Sequence, residues 1–307
     1  MKFLVLGCGS IGTRHIVNLQ SLGHKVYCYD KDRAKMDKVV AEQGVEVLDF
    51  DAKHLQIDGW IICTPPELHV GFAMKALERN CHAFIEKPIS STFSTPEGTV
   101  DEMLDLADKK GLTVMTGYQM RFSPGLMKLK DMIDKQSFGP LYYIYAEYGK
   151  ALPEWHPWED YRLGYTAYTG IALDASHEIQ YVCMLAGSKV VKIKSIVNKA
   201  NPFQVQAESM IDMLLKFEND ITANIHLDMI QREWARRCKV IMERKEIDWR
   251  WLSEKEDCYI KEMEHFIKCI EGREKEDSQY ARDVLEIVLT AKGIMPAEFK
   301  RLNLKEN

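Results

Sequence analysis

Six residues near the N-terminus, Gly7-Cys8-Gly9-Ser10-Ile11-Gly12, narrow what this chain can fold into more than any other stretch. They follow an apolar run, Phe3-Leu4-Val5-Leu6, and lead into an apolar-periodic segment ending near Leu22, so the local order is strand, tight turn, helix. Gly7 permits the turn, a bare Gly9 lets backbone approach a pyrophosphate, and Gly12 lets the helix pack close to the strand. The helix start, at Ser10 and Ile11, presents free N–H groups and a partial positive charge to phosphates. A second strand, Lys25 to Tyr29, ends in Asp30, close to the roughly 20-residue offset at which an acidic residue meets ribose hydroxyls. Residues 1–30 read as the first half of a dinucleotide site.

The remainder of the first 120 residues repeats the same alternation. A charged helix from Asp32 to Gln43 closes at Gly44; strands are expected at 45–48, 59–63, 82–85 and 112–115, with helices at 67–78 and 96–110 between them. That order implies a parallel sheet covered on both faces by right-handed crossovers. Beyond Gly117 the pattern changes. A helix at 124–135, a strand at 141–148, an aromatic loop at 153–168 and a helix at 172–185 precede strands at 190–198, 208–217, 221–229 and 237–251. Asn219-Asp220 is a hairpin turn signal, and helices at 259–270 and 278–292 end the chain. The expected fold class is α/β, with a Rossmann domain over 1–120 and an α+β domain with an open, predominantly antiparallel sheet over 121–307.

Composition excludes several alternatives. The net charge of -5 and pI near 6.0 argue against a nucleic-acid or membrane-surface role, since both need a basic face. No run approaches the length of a membrane span, and no signal region precedes the first strand. Eight cysteines stand singly, with no C-x-x-C and no clustered Cys/His spacing for zinc, so reduced thiols, a cytoplasmic setting and no metal are expected.

Glu86-Lys87-Pro88 falls at the end of an expected strand, where ligands of open α/β sheets bind. Together with Gly7-x-Gly9-x-x-Gly12, Thr64-Pro65-Pro66-x-x-His69, Gly117-Tyr118-Gln119-Met120-Arg121-Phe122 and Asp174-Ala175-Ser176-His177, it resembles the glucose-fructose oxidoreductase, inositol dehydrogenase and rhizopine-catabolism (Gfo/Idh/MocA) family over nearly the whole chain. The resemblance implies a nicotinamide-dependent oxidoreductase acting on a sugar, sugar derivative or cyclitol. Lys87 takes the place beside the nicotinamide and the reacting hydroxyl, His177 that of the acid/base group, and Asp174 that of an orienting or substrate-binding carboxylate. Members of the family usually pair through the open sheet, which implies a homodimer or homotetramer.

The chemistry agrees with these assignments. Removing hydride from a secondary alcohol requires a base for the hydroxyl proton, and histidine titrates nearest working pH. A lysine beside the oxygen stabilises developing negative charge. Asp174 and His177, three apart, share a face of one helix; the alternative is a helix-terminal charge and a satisfied interior histidine. Only Gly170 remains of the glycine run that many members carry before this helix, their histidine commonly stands four residues after the aspartate, and Gln180 and Gln119 replace an aspartate and an asparagine common in the family.

Asp30 favours NAD over NADP because a carboxylate repels a 2′-phosphate, although Lys31 and Arg33 follow it. Thr64, Pro65, Pro66 and Glu86 are expected at the cofactor crevice, with His69 either there or on a helix surface. For the substrate, Arg121 suits a carboxylate or phosphate, and Trp155, His156, Trp158 and Tyr161 suit sugar rings or a nucleobase. A nucleotide-activated or amino sugar leads, with a free sugar or inositol second. A catalytically silent dinucleotide-binding sensor and a tetrapyrrole reductase-like enzyme are the alternatives; retention of both Lys87 and His177 disfavours the first.

Overall fold

The computed structural model describes residues 1–51, 56–155, 169–198, 200, 202–251 and 258–295. Contacts divide the chain into two units, Met1–Gln119 with Asp257–Arg282, and Met120–Glu256 with Asp283–Asn307.

The first unit is built on strands β1 (Lys2–Leu6), β2 (Lys25–Tyr29), β3 (Glu46–Val47), β4 (Gly59–Ile62), β5 (His82–Glu86) and, after a small hairpin, β8 (Val114–Gly117). They form one parallel sheet in the order β3-β2-β1-β4-β5-β8. Phe3–Leu6, Trp60–Ile62 and Ala83–Ile85 are continuous buried runs, as a sheet covered on both faces requires. Helices α1 (Ser10–Ser21), α2 (Arg33–Gln43), α3 (His69–Glu78) and α4 (Val100–Lys110) supply the cover. The chain leaves β1 toward β2 on one side and passes to β4 on the other. The strand order therefore reverses at β1, and a crevice opens beyond the carboxyl ends of β1 and β4.

Boundaries differ from the sequence expectation where local chemistry intervenes. The helix expected from Pro96 begins at Val100, because residues 94–99 form the hairpin β6 (Ser94–Thr95) and β7 (Gly98–Thr99). Thr99 then caps α4 in a reciprocal box with Glu102, satisfying two otherwise orphaned N–H groups. Pro66–Leu68 is a 3₁₀ turn ahead of α3.

The second unit carries α5 (Pro124–Asp134), β9 (Leu141–Gly149), α6 (Leu152–Trp155), α7 (Ile171–Asp174) and α8 (Ser176–Ala186). Its other strands are β10 (Val190–Asn198), β11 (Met210–Phe217), β12 (Thr222–Asp228), β13 (Ala235–Met242) and β14 (Lys245–Arg250). The sheet order is β10-β11-β12-β9-β13-β14, antiparallel except between β12 and β9. Asp220 adopts φ +73° in the turn between β11 and β12, as the Asn-Asp pair suggests. The single strand expected over 237–251 is instead a hairpin, β13 returning as β14. Its turn, Glu243-Arg244, contains neither Gly nor Pro to mark it.

The helix expected over 172–185 is two helices. Ala175 breaks the run at φ -94° and ψ 29°, so Asp174 ends α7 and His177 lies in the first turn of α8. Both pieces dock on the sheet, α7 on β11 and β12 and α8 on β9 and β12. Glu208 anchors the start of α7: its carboxylate accepts the Ala172 N–H at 3.2 Å and pairs with Lys292 Nζ at 3.0 Å.

Helix α9 (Cys258–Ile270) belongs with the first unit, whereas a division at residue 120 places it in the second. It packs on α1, and its Phe266 ring stands 5.6 Å from Phe84 and 6.3 Å from Phe3. The start of α10 (Gln279–Ala291) follows it, with the Tyr280 hydroxyl donating to Thr116 O at 2.7 Å and Arg282 paired with Asp101 at 3.0 Å. None of the eight cysteines is joined in a disulfide, and most are buried. Among the described residues no helix is long and apolar enough to cross a membrane.

Candidate active site

The crevice at the strand reversal is built from backbone. Gly7 has φ +98°, and a Cβ there would stand 2.5 Å from Cys63 O; a Cβ on Gly12 would stand 1.8 Å from Gly7 O. Both positions therefore exclude any side chain. Gly9 is different. Nothing lies within 4 Å of an added Cβ, so its bare face looks onto open space at the start of α1. The strand–turn–helix folds this way because Gly7 and Gly12 each remove one atom that would otherwise hold β1, β4 and α1 apart.

Asp30 completes the crevice from the end of β2. Its carboxylate accepts N–H groups from Cys8 at 2.6 Å and Asp32 at 2.8 Å, which fixes its plane and ties it to the glycine turn. Two backbone bonds leave lone pairs for further donors. The cavity beside it measures about 370 Å³ and is lined by Gly7, Gly9, Asp30, Lys31, Thr64 and Pro65 among others. The Thr64 hydroxyl is buried and has no hydrogen-bond partner among the described residues. A bare backbone face, an oriented carboxylate and an orphaned hydroxyl in one cleft fit a dinucleotide, the bare face suiting its pyrophosphate and the carboxylate its ribose hydroxyls.

His69 is neither in the crevice lining nor on a helix surface. It is 1% exposed, with Nδ1 2.9 Å from Pro88 O and Nε2 2.7 Å from Thr64 O. Burial holds its pKa below the ordinary value, outweighing the two carbonyls. It acts as a strut joining the Thr64-Pro65 loop to Glu86-Lys87-Pro88. Pro66 lies in the 3₁₀ turn above it.

Glu86 ends β5 and Lys87 follows it, with a cis peptide bond between Lys87 and Pro88. Glu86 Oε1 lies 2.6 Å from His15 Nε2 on α1, and Oε2 accepts the Lys87 N–H at 3.2 Å. His15 is fully buried. It is not among the site residues expected from the sequence, although a histidine on the buried stripe of Gly12, Ile16 and Leu19 is the signal that marks it. Gln119 donates to the Tyr259 hydroxyl at 3.1 Å, and the Arg14 guanidinium lies 4.5 Å from that ring.

In the second unit His177 is 4% exposed, and Asp174 is half-buried one helix earlier. Around them lie groups not singled out in the sequence. Glu178 is fully buried and pairs with Arg236 at 2.7 Å, and Arg236 stacks 4.6 Å from the Tyr148 ring. Burial pushes the Tyr148 hydroxyl well up, and Asp174 and Glu178 push it further while Arg236 opposes. A glutamate inside the apolar run after His177 was the available sign. The Arg121 guanidinium lies 5.1 Å from the Phe122 ring. His156, Trp158 and Tyr161 lie outside the described residues, as does the side chain of Trp155.

Comparison with known proteins agrees with this layout. A family model described as "Oxidoreductase family, NAD-binding Rossmann fold" matches residues 1–118, and one described as "GFO/IDH/MocA C-terminal domain" matches 126–248. An uncharacterized oxidoreductase, YrbE, of Bacillus subtilis is 30% identical over 44% of the chain and 40% of its own length. The scyllo-inositol 2-dehydrogenase (NAD(+)) of the same organism is 27% identical over 72% of the chain and 64% of its own length. The chain thus spans less than two thirds of these curated relatives. Among solved structures, scyllo-inositol dehydrogenase from Lactobacillus casei with bound NAD(H) and scyllo-inositol superposes with TM-score 0.84 at 17% identity, over 96% of both chains. UDP-N-acetylglucosamine 3-dehydrogenase GnnA from Acidithiobacillus ferrooxidans superposes with TM-score 0.78 at 21% identity, over 98% of this chain and 99% of that one. These two likenesses concern the fold.

Proposed function

The chain belongs to the Gfo/Idh/MocA oxidoreductase family, and from that premise we propose that it transfers a hydride between NAD and a secondary hydroxyl or ketone of a sugar, nucleotide sugar or cyclitol. The observation that carries the proposal is the cleft at the strand reversal: the open face of Gly9, the doubly anchored Asp30 carboxylate and the unpartnered Thr64 hydroxyl. Asp30 suits the free ribose of NAD and disfavours a phosphorylated one.

NAD, when bound, supplies the hydride acceptor. Residues of the chain do the rest. Lys87, held at the carboxyl end of β5 by the Glu86 contact with its own N–H, stabilises negative charge on the substrate oxygen. The hydroxyl proton passes to the His177 ring as the carbon–hydrogen bond breaks. Asp174 orients His177 or grips a neighbouring hydroxyl, and Arg121 with the 155–161 loop holds the remainder of the substrate. Ile196 and Leu214, 73% and 44% exposed on adjacent strands β10 and β11, support a homo-oligomer formed through the sheet.

The deciding experiment follows nicotinamide absorbance with NAD⁺ and NADP⁺ against inositols, free sugars, sugar acids and nucleotide sugars. Turnover with NAD⁺ that falls roughly 10²- to 10⁴-fold in Lys87→Ala and in His177→Ala is expected. Tight NAD binding with silence across the panel favours the sensor reading instead.

A further inference from the structure

Away from the crevice, the end of α9 and the loop after it bring three donor atoms of different chemistry together. His265 and Cys269 occupy one face of the helix, four residues apart, and Cys269 Sγ lies 3.6 Å from His265 Nε2. Glu276 reaches back from the loop, its Oε2 2.7 Å from the same nitrogen. The carboxylate of Glu276 is 1% exposed and Cys269 is 8% exposed, so the cluster is shielded from water on two sides.

We propose that His265 Nε2, Cys269 Sγ and Glu276 Oε2 bind a divalent ion of the zinc class. One imidazole, one thiolate and one carboxylate is a donor set that zinc accepts, leaving a fourth position for water. The spacing fits. An ion with nitrogen at about 2.0 Å and sulfur at about 2.3 Å in tetrahedral geometry holds those atoms roughly 3.5 Å apart, close to the 3.6 Å found here. Glu276 has only to draw back by several tenths of an ångström from a hydrogen bond to a ligand separation.

The surroundings of the other ring nitrogen are the second argument. His265 Nδ1 faces Glu274 Oε2 at 2.5 Å, and Glu274 is in turn held by Lys268 at 3.0 Å. A carboxylate on Nδ1 keeps a hydrogen there, so the ring offers its Nε2 lone pair once Nε2 gives up its proton, the arrangement that orients histidines bound to metals. Binding forms metal–nitrogen, metal–sulfur and metal–oxygen bonds and releases to solvent the protons carried by Nε2 and the thiol. The balance of charge is neutral: thiolate and Glu276 offset the ion, and Lys268 offsets Glu274. The sequence expectation of no metal rested on cysteine and histidine spacing; the glutamates of the following loop complete the set.

The test uses full-length protein stripped with a chelator and titrated with Co²⁺, then Zn²⁺. One equivalent of Co²⁺ should give a thiolate-to-metal charge-transfer band that Zn²⁺ displaces and that Cys269→Ser abolishes. No such band in the unmodified protein, or a band unchanged in Cys269→Ser, overturns the proposal. Glu274→Gln touches no donor atom and should weaken Zn²⁺ binding roughly 10- to 100-fold. Unchanged affinity in that variant also overturns it, and this arm stands even if Cys269→Ser fails to fold.

Discussion

His15 Nε2 and Glu86 Oε1 lie 2.6 Å apart in the interior of the first unit, tying the helix that opens at the glycine turn to the strand that presents Lys87. The two halves of the proposed chemistry, phosphate binding and charge stabilisation, are thereby held in one register. His15→Ala should cost about 1–3 kcal/mol of stability by leaving the Glu86 oxygen without its donor. Turnover should fall roughly 10- to 100-fold as Lys87 loses its alignment. Urea unfolding and steady-state kinetics measure the two effects, and partial recovery in His15→Gln would assign the loss to the hydrogen bond.

Two glycines of the same turn should behave oppositely. Gly12→Ala places a Cβ 1.8 Å from a backbone oxygen and should destabilise by about 2–3 kcal/mol. Gly9→Ala meets no protein atom within 4 Å, so stability should hold while affinity for NADH falls. Thermal unfolding beside quenching of protein fluorescence by NADH separates the cases; a Gly9→Ala variant that binds normally would place the pyrophosphate elsewhere.

Asp30→Ser should invert the cofactor preference. NAD affinity drops roughly 10-fold or more with the loss of charged hydrogen bonds to ribose, and NADP gains through the removal of repulsion, with Lys31 and Arg33 next in the chain. Dissociation constants for NADH and NADPH measure the change.

His226 supplies a pH-dependent contribution to stability in the second unit. It sits between Asp212 at 2.8 Å and Asp228 at 3.2 Å, and their hydrogen bonds, Asp228 first, raise its pKa from 6.5 to about 9. The charged ring is favoured in the folded state, so its contribution is full below pH 6.5 and is lost as pH rises toward about 9. Partial solvent exposure, 23% of the His226 side chain, reduces this to on the order of 1 kcal/mol. Urea midpoints from pH 6 to 9.5 should fall in the parent protein and stay flatter in His226→Gln.

The turn glycines, Asp30 and the parallel alternation were legible because each is a local rule: one residue, one backbone requirement. His69 was misplaced because its role depends on two carbonyls, of Thr64 and Pro88, that come near it only in the folded state. Ala175 gave no sign of breaking a helix, since alanine favours helices and the break answers to docking on the sheet. The Glu178–Arg236 pair spans 58 positions of sequence, so neither residue announces its partner. The start of α4 shifted because Thr99 and Glu102 form a capping box, a signal that was present in the sequence and outweighed by Pro96.

The return of α9 to the first unit bears on how the protein is made. The glycine turn leaves the ribosome well before Phe266, which completes the apolar layer around Phe3 and Phe84. The dinucleotide fold therefore waits, unfinished, while the intervening segment Met120–Glu256 is synthesised. A nascent chain stalled near residue 120 should remain protease-sensitive, and the first unit should acquire its resistance only after residue 270 has emerged.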